Sequence, residues 1–190
     1  QVFGTLKELG VENNTIVLFM SDNGGSRGTS MGPLKGGKGS LYEGGPRTPF
    51  LIHWPGSIPA GQVSHEIGVS SDLLPTLAKL CGGKLSDNKI DGRDLSDLFL
   101  NPDKAKSPHE GFAHKGKAYR LGKWKMVGKQ LYDLEKDLGE TQNMANQYPE
   151  ILKKLTDKAY QFFSKIEGEV RPHAQMSDPS PIIDELEAEA

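Results

Sequence analysis

Nine of the chain's 23 glycines fall between Gly24 and Gly45, and no helix or strand can run through a stretch so rich in glycine. Whatever fold the chain adopts must therefore carry a long loop there. Both flanks of the loop are apolar. TIVLFM, Thr15 to Met20, is a short β-branched run that suits a strand buried on both faces, and PFLIHW, Pro49 to Trp54, is a second one closed by Pro55-Gly56. Inside the loop, GPLKGGKGSLYEGG, Gly32 to Gly45, places two lysines and six glycines in fourteen residues. A flexible, cationic loop between two apolar strands raises the question of what it is built to hold.

The remaining segments frame that loop. QVFGTLKELGVENN reads as the last turns of a helix, with Val2, Leu6 and Leu9 near helical spacing and Gly10 as its stop. A chain that enters in mid-helix and passes straight into a buried strand is expected to be part of something larger. SSDLLPTLAKLCGG is an amphipathic helix with Leu73, Leu74, Leu77 and Leu80 on one face, Ser70 or Ser71 as cap and Gly82 at its end. After Pro108 the texture changes to short pieces separated by Gly116, Gly122 and Gly128, an antiparallel meander. Tyr148 to Ile166 follows as a helix whose stripe is Ile151, Leu152, Leu155, Ala159, Phe162, Phe163 and Ile166. The acidic, proline-bearing SDPSPIIDELEAEA reads as an extended or disordered tail. The expected organisation is an α/β section over 1–107, a small sheet-and-helix subdomain over 108–170, and a tail over 171–190.

Composition excludes more than it selects. The formal net charge of −2 gives no global push toward nucleic acid or an anionic membrane. No apolar run approaches the ~18 residues that span a bilayer, and no basic-then-apolar signal stretch is visible at the start. Cys81 is the single cysteine, which rules out an internal disulfide, and its place at a helix end predicts a buried, inert thiol.

Three motifs compete for the chemistry. Gly32, Gly37 and Lys38 fit the spacing of a nucleotide phosphate loop. Gly39, however, stands where a magnesium-binding Ser or Thr is required, and the strand–loop–helix context is missing. SDNGG, Ser21 to Gly25, directly follows a strand and offers a carboxylate and an amide oxygen side by side, both hard donors for Ca²⁺ or Mg²⁺; a plain turn reads the same way. HKGKAYRLGKWKMVGK carries Lys115, Lys117, Arg120, Lys123, Lys125 and Lys129 interleaved with Tyr119 and Trp124. That strip is either a solvated sheet edge or a wall favouring polyanions. The surface histidines His109 and His114 lie beside it.

The combination of motifs is more specific than any one of them. MSDNGG, then GPLKGGKGSLYEGGPRTP, FLIHWPG and the DLLPTL helix, followed by RLGKWKMV and LYDLEKDLGETQNMA, closely resembles the sulfatase family, in order, from about residue 1 to about residue 167. The resemblance implies the C-terminal portion of an alkaline-phosphatase-like α/β sandwich, followed by a small antiparallel sheet packed with a C-terminal helix. It implies hydrolysis of sulfate esters to alcohol and sulfate by a formylglycine nucleophile with a divalent cation, usually calcium. By motif match, Asp22 and Asn23 correspond to two metal ligands and Lys38 to the lysine that contacts the sulfate. His114 is a candidate substrate-facing residue. Lys35 is placed at a solvated loop tip, and Arg47 as a structural partner for a carboxylate. Family habit points to periplasm, cell exterior or lysosome, and to a sulfated small molecule or sulfated glycan as substrate.

The family's nucleophile motif, C/S-x-P-S/A-x-R, is absent. Cys81 is followed by GGKL, and the two serine near-misses, at Ser57 and Ser177, lack the arginine. The aspartate pair that completes the metal site is absent as well. Calcium wants ~6–8 oxygens, of which Asp22 and Asn23 supply about two. The expectation is a chain inactive alone, whose partner is a missing N-terminal sulfatase section and whose exposed core strands self-associate. The alternatives are a phosphonate or phosphate monoester hydrolase of the same superfamily, or a non-catalytic module binding sulfated glycans.

Overall fold

The structure, a computed structural model, describes residues 1–26 and 28–169. The expected tail over 171–190 lies outside the described residues. Helix α1 (Val2–Glu8) ends at Gly10, and a 3-10 turn over Glu12–Asn14 leads into β1 (Val17–Met20). β1 pairs antiparallel with β2 (Phe50–His53), Leu18 lying opposite Ile52 and Phe19 opposite Leu51. The glycine-rich segment is therefore the connection between two paired strands. No helix among the described residues is long and apolar enough to cross a membrane.

This pair corrects the expectation of strands buried on both faces. Ile52 packs against the core of Leu95, Leu98 and Phe99. Phe19 and Leu51, one residue on and so on the opposite face, are 65% and 59% exposed. Two strands with one covered side leave the other bare. Helix α2 (Leu73–Leu80) forms as expected and stops at Gly82. No side-chain hydrogen bond among the described residues caps its start, where a serine was expected; instead the 3-10 turn Ser70–Asp72 before it is closed by the buried Asp72 carboxylate, which accepts Val69 N–H at 2.8 Å and Arg93 N–H at 2.8 Å. Leu74 is exposed despite its place on the expected apolar face. Cys81 is exposed too, because the helix ends before it and its thiol falls outside the packed stripe. Helix α3 (Ser96–Leu100) is an addition; at five residues it is too short to show a helical period, yet it buries Leu98 and Phe99.

The meander is present as β3 (Gly111–His114), β4 (Ala118–Leu121), β5 (Trp124–Val127) and β6 (Gln130–Asp133), antiparallel and in chain order. Strand alternation gives this sheet two working faces. Tyr119, Met126 and Leu131 face helix α4 (Pro149–Gly168) and form a core with Leu155 and Ala159. Ala118, Val127 and Tyr132 form a second core with Leu134, against which Leu41 and Tyr42 of the glycine-rich loop pack. Of the α4 stripe, Leu155 and Ala159 are buried, while Phe162 and Ile166 remain exposed toward the helix's end. The sheet is thus sandwiched between a helix and a loop, and that second contact is what fixes the loop in space.

The bare face and unpaired edges of β1 and β2 predict association between copies. In sedimentation velocity at tens of micromolar, the full chain is expected to sediment as oligomers. Phe19→Ser with Leu51→Ser should shift it toward monomer. An unchanged monomer in both would contradict this reading.

Candidate functional site

The loop between β1 and β2 is compact because its backbone packs on itself. Gly24 N–H donates to Gly45 O at 2.9 Å, Lys38 N–H to Gly25 O at 2.9 Å, and Gly44 N–H to Lys35 O at 2.8 Å. These bonds stitch the SDNGG turn to the GGKG turn and both to Gly44-Gly45. The approach leaves no room for side chains: a Cβ on Gly24 would run into Gly44 O, and one on Gly37 would sit 2.6 Å from Gly25 O. The spacing of glycines is therefore the price of bringing three backbone segments into contact.

A buried ion network holds this knot from outside. Lys125, on β5, is 2% exposed and lies 2.9 Å from Glu43 Oε1 and 3.0 Å from Glu140 Oε1. Glu43 Oε2 takes Arg47 at 3.5 Å and Arg120 at 3.8 Å, and Glu43 N–H donates to Glu140 Oε2 at 2.6 Å. The sheet register puts Arg120 directly opposite Lys125, two like charges that need an anion between them. Glu43 is that anion. The Glu140 Oε1 contact with Lys125 lacks hydrogen-bond alignment, and no hydrogen-bond partner meets that oxygen among the described residues. Burial pushes the Glu140 carboxyl up from its ordinary value, against the Glu43 N–H and the Lys125 ammonium.

Around the knot stand the residues singled out from sequence. Lys38 is exposed and borders a cleft of about 500 Å³ lined also by Gly25, Ser26, Thr29, Met31 and Gly37. Asp22 and Asn23 lie on the SDNGG turn, Asn23 Nδ2 donating to Asp22 Oδ2 and Ser21 Oγ to Asn23 O. His114, at the end of β3, bonds Ser40 O through Nε2 at 3.2 Å, which assigns the proton to that nitrogen when the ring is neutral. Burial pushes its pKa down from the ordinary imidazole value, although the Ser40 carbonyl pulls the other way. All four residues thus belong to the knot or to its immediate brace.

For a divalent cation, the donor chemistry of Asp22 and Asn23 is suitable, both being hard oxygen ligands. The fit is partial. Among the described residues no group of three or more His, Cys, Asp or Glu side chains is clustered to hold a metal.

Several other expectations are corrected. Lys35 is not at a solvated tip; its ammonium donates to Glu140 O at 3.1 Å and lies 3.9 Å over the Tyr42 ring. The basic strip is not one surface. Lys125 is buried, Lys123 is paired with Asp133 at 2.8 Å, and Lys115 reaches Gly39 O at 2.9 Å. His109 is not a surface histidine: its ring is 12% exposed and Nε2 lies 2.7 Å from the buried Asp72. Arg47 does pair a carboxylate. Glu43 and Glu140 were not foreseen: each stands inside a quoted motif, yet 97 residues separate them and nothing in either motif signals that they meet.

Residues 1–83 match the family model described as Sulfatase. Human arylsulfatase A is 48% identical over 108 residues, an alignment covering 54% of this chain and 21% of that protein. Rat steryl-sulfatase is 42% identical over 130 residues, covering 63% and 22%. The crystal structure of Ps i-CgsB in complex with k-i-k-neocarrahexaose superimposes with a TM-score of 0.72 at 32% identity, covering 85% of this chain and 39% of that one. The chain spans about a fifth of the length of the curated relatives it matches. Its architecture is a part of the alkaline-phosphatase-like α/β fold with its small antiparallel sheet and helix.

Two outcomes test the site's construction. Lys125→Met leaves the buried Glu140 without its cation, and Glu43 with only the more distant Arg47 and Arg120, and is expected to cost about 3–5 kcal/mol in urea unfolding; a loss under 1 kcal/mol would remove the network from its structural role. The lowered His114 pKa means the unfolded chain binds the extra proton first as pH falls below the ordinary value near 6.5, so stability is lost toward acid. His114→Gln, which keeps a donor for Ser40 O, should show a smaller loss of urea midpoint between pH 7.5 and 5.5 than the parent.

Proposed function

Starting from a chain whose first 83 residues match the Sulfatase family, we propose that it supplies one wall of a sulfate-ester hydrolysis site. The observation that carries this reading is the backbone stitching of Gly25 to Lys38 and Gly24 to Gly45, because it joins the turn bearing Asp22 and Asn23 to the lysine-bearing turn. In this reading the Lys38 ammonium faces the sulfate and stabilises the negative charge that grows on its oxygens as the S–O bond breaks. Asp22 and Asn23 contribute two oxygens toward a calcium or magnesium ion, which when bound would add positive charge at the same anion. His114 has Nε2 committed to Ser40, so its share of substrate contact falls to the ring edge and Nδ1.

The nucleophile does not come from these 190 residues, since no C/S-x-P-S/A-x-R motif is among them. The chain on its own is therefore proposed to bind sulfate without turning it over. Full activity would require a polypeptide section that carries the formylglycine and the remaining metal ligands. The substrate is a sulfated small molecule or sulfated glycan, met in a periplasmic, extracellular or lysosomal setting. Residues 1–107 carry the cradle in this scheme, and residues 108–170 brace it.

The test is hydrolysis of a chromogenic aryl sulfate in calcium buffer, on a preparation of verified intact mass, together with titration of inorganic sulfate. The expected result is no turnover and weak sulfate binding that Lys38→Ala reduces about tenfold or more. Turnover that disappears in Lys38→Ala would overturn the inactive-alone reading. Sulfate binding indifferent to Lys38→Ala would overturn the cradle itself.

A further inference from the structure

The β3–β4 turn differs from the other two turns of the four-stranded sheet. The β4–β5 and β5–β6 turns place glycine where the backbone must adopt positive φ, at Gly122 (56°) and Gly128 (58°). The β3–β4 turn, closed by Lys117 N–H to His114 O at 3.2 Å, has positive φ at two successive residues, Lys115 (49°) and Gly116 (68°). Left-handed backbone is disfavoured for a residue with a Cβ, and Gly, Asn or Asp would occupy that position with less strain. Turn geometry alone therefore gives no reason for a lysine there.

The side chain gives one. Lys115 Nζ donates to Gly39 O at 2.9 Å, and its neighbour His114 bonds Ser40 O at 3.2 Å. Gly39 and Ser40 are the two residues directly after Lys38. On the other side, Lys38 N–H is held by Gly25 O and Ser40 N–H by Gly37 O. The peptide units around Lys38 are thus tied to two separate elements, the SDNGG turn and the tip of the β3–β4 turn. Without the second tie, a lysine set among glycines would sample a wide range of backbone conformations.

We propose that Lys115 is a positioning residue whose ammonium, with the adjacent His114, locks the Gly39–Ser40 backbone and thereby fixes where Lys38 points. Its consequence for anion binding rests on the sulfate-cradle reading; its consequence for the loop does not. A strained turn residue whose side chain reaches a neighbouring functional loop is an expected form of stored local strain.

The experiment uses the full chain and two substitutions. Lys115→Gly keeps a residue at home in the turn and removes the ammonium, whereas Lys115→Arg keeps a donor. Hydrogen–deuterium exchange by mass spectrometry over residues 36–41 is expected to quicken about fivefold in Lys115→Gly and stay near parental in Lys115→Arg. Exchange over residues 130–133 and the Tm should be unchanged in both. Inorganic sulfate should bind Lys115→Gly about threefold to fivefold more weakly than the parent, with Lys115→Arg intermediate or parental. Unchanged exchange over residues 36–41 in Lys115→Gly overturns the proposal. So does quickened exchange across the whole sheet, which would make Lys115 a turn stabiliser and nothing more. If the parent shows no Lys38-dependent sulfate binding, the cradle reading fails, and the exchange result still decides the brace.

Discussion

The Lys125 ammonium is the interaction on which the site's geometry depends. It sits inside the protein on β5, and an isolated charge there would cost several kcal/mol of lost hydration. Glu43 from the glycine-rich loop and Glu140 from the segment after β6 offset that cost only if both are brought to it. The requirement is directional. The loop cannot swing away without taking Glu43 from between Lys125 and Arg120, two cations directly opposite each other in the sheet, so the electrostatics of the sheet interior dictate the position of a loop whose own composition favours disorder.

The same network explains why the loop packs against the sheet by its middle rather than its ends. Leu41 and Tyr42 cover the Ala118–Val127–Tyr132 face, and Tyr42 OH donates to Gln130 Oε1 at 2.8 Å. Glu43 follows into the ion cluster, and Lys35 closes the circuit on Glu140 O while lying over Tyr42. Between these anchors lies Gly36 to Ser40, with Lys38 at its centre. Glycine lets that part come within hydrogen-bonding distance of the SDNGG turn, and the anchors remove the freedom that glycine would otherwise keep. A site for a small anion needs both: close backbone approach and little motion.

The relation between charge and role runs against composition. Of the six basic residues between Lys115 and Lys129, Lys125 is spent on the interior, Lys123 on Asp133, Arg120 on Glu43 and Lys115 on a carbonyl of the cradle loop. Lys38 is exposed and borders the cleft. How each ammonium is partnered, and so where positive charge stays exposed, is set by the packing. The near-neutral total charge has no bearing on it.

Several features were determined by the amino-acid sequence alone, because they depend on local rules. The glycine density between two apolar runs requires a loop, the three glycines after Pro108 mark the turns of a meander, and the stripe through Leu155 and Ala159 makes a helix of 149–168. Adjacent residues such as Asp22 and Asn23, and the GKG around Lys38, were legible as candidate site residues because their chemistry is contained in a few contiguous positions. The tertiary structure alone decided which lysines are buried, that the buried Asp72 closes the 3-10 turn before α2 and meets His109, that Cys81 is exposed, and that Lys115 reaches back 76 residues to Gly39. The physical reason is the same in each case. A charge or a thiol carries no local signal of its own burial; that is settled by which distant groups the packing brings within a few ångströms, and spacing along the chain does not encode that distance.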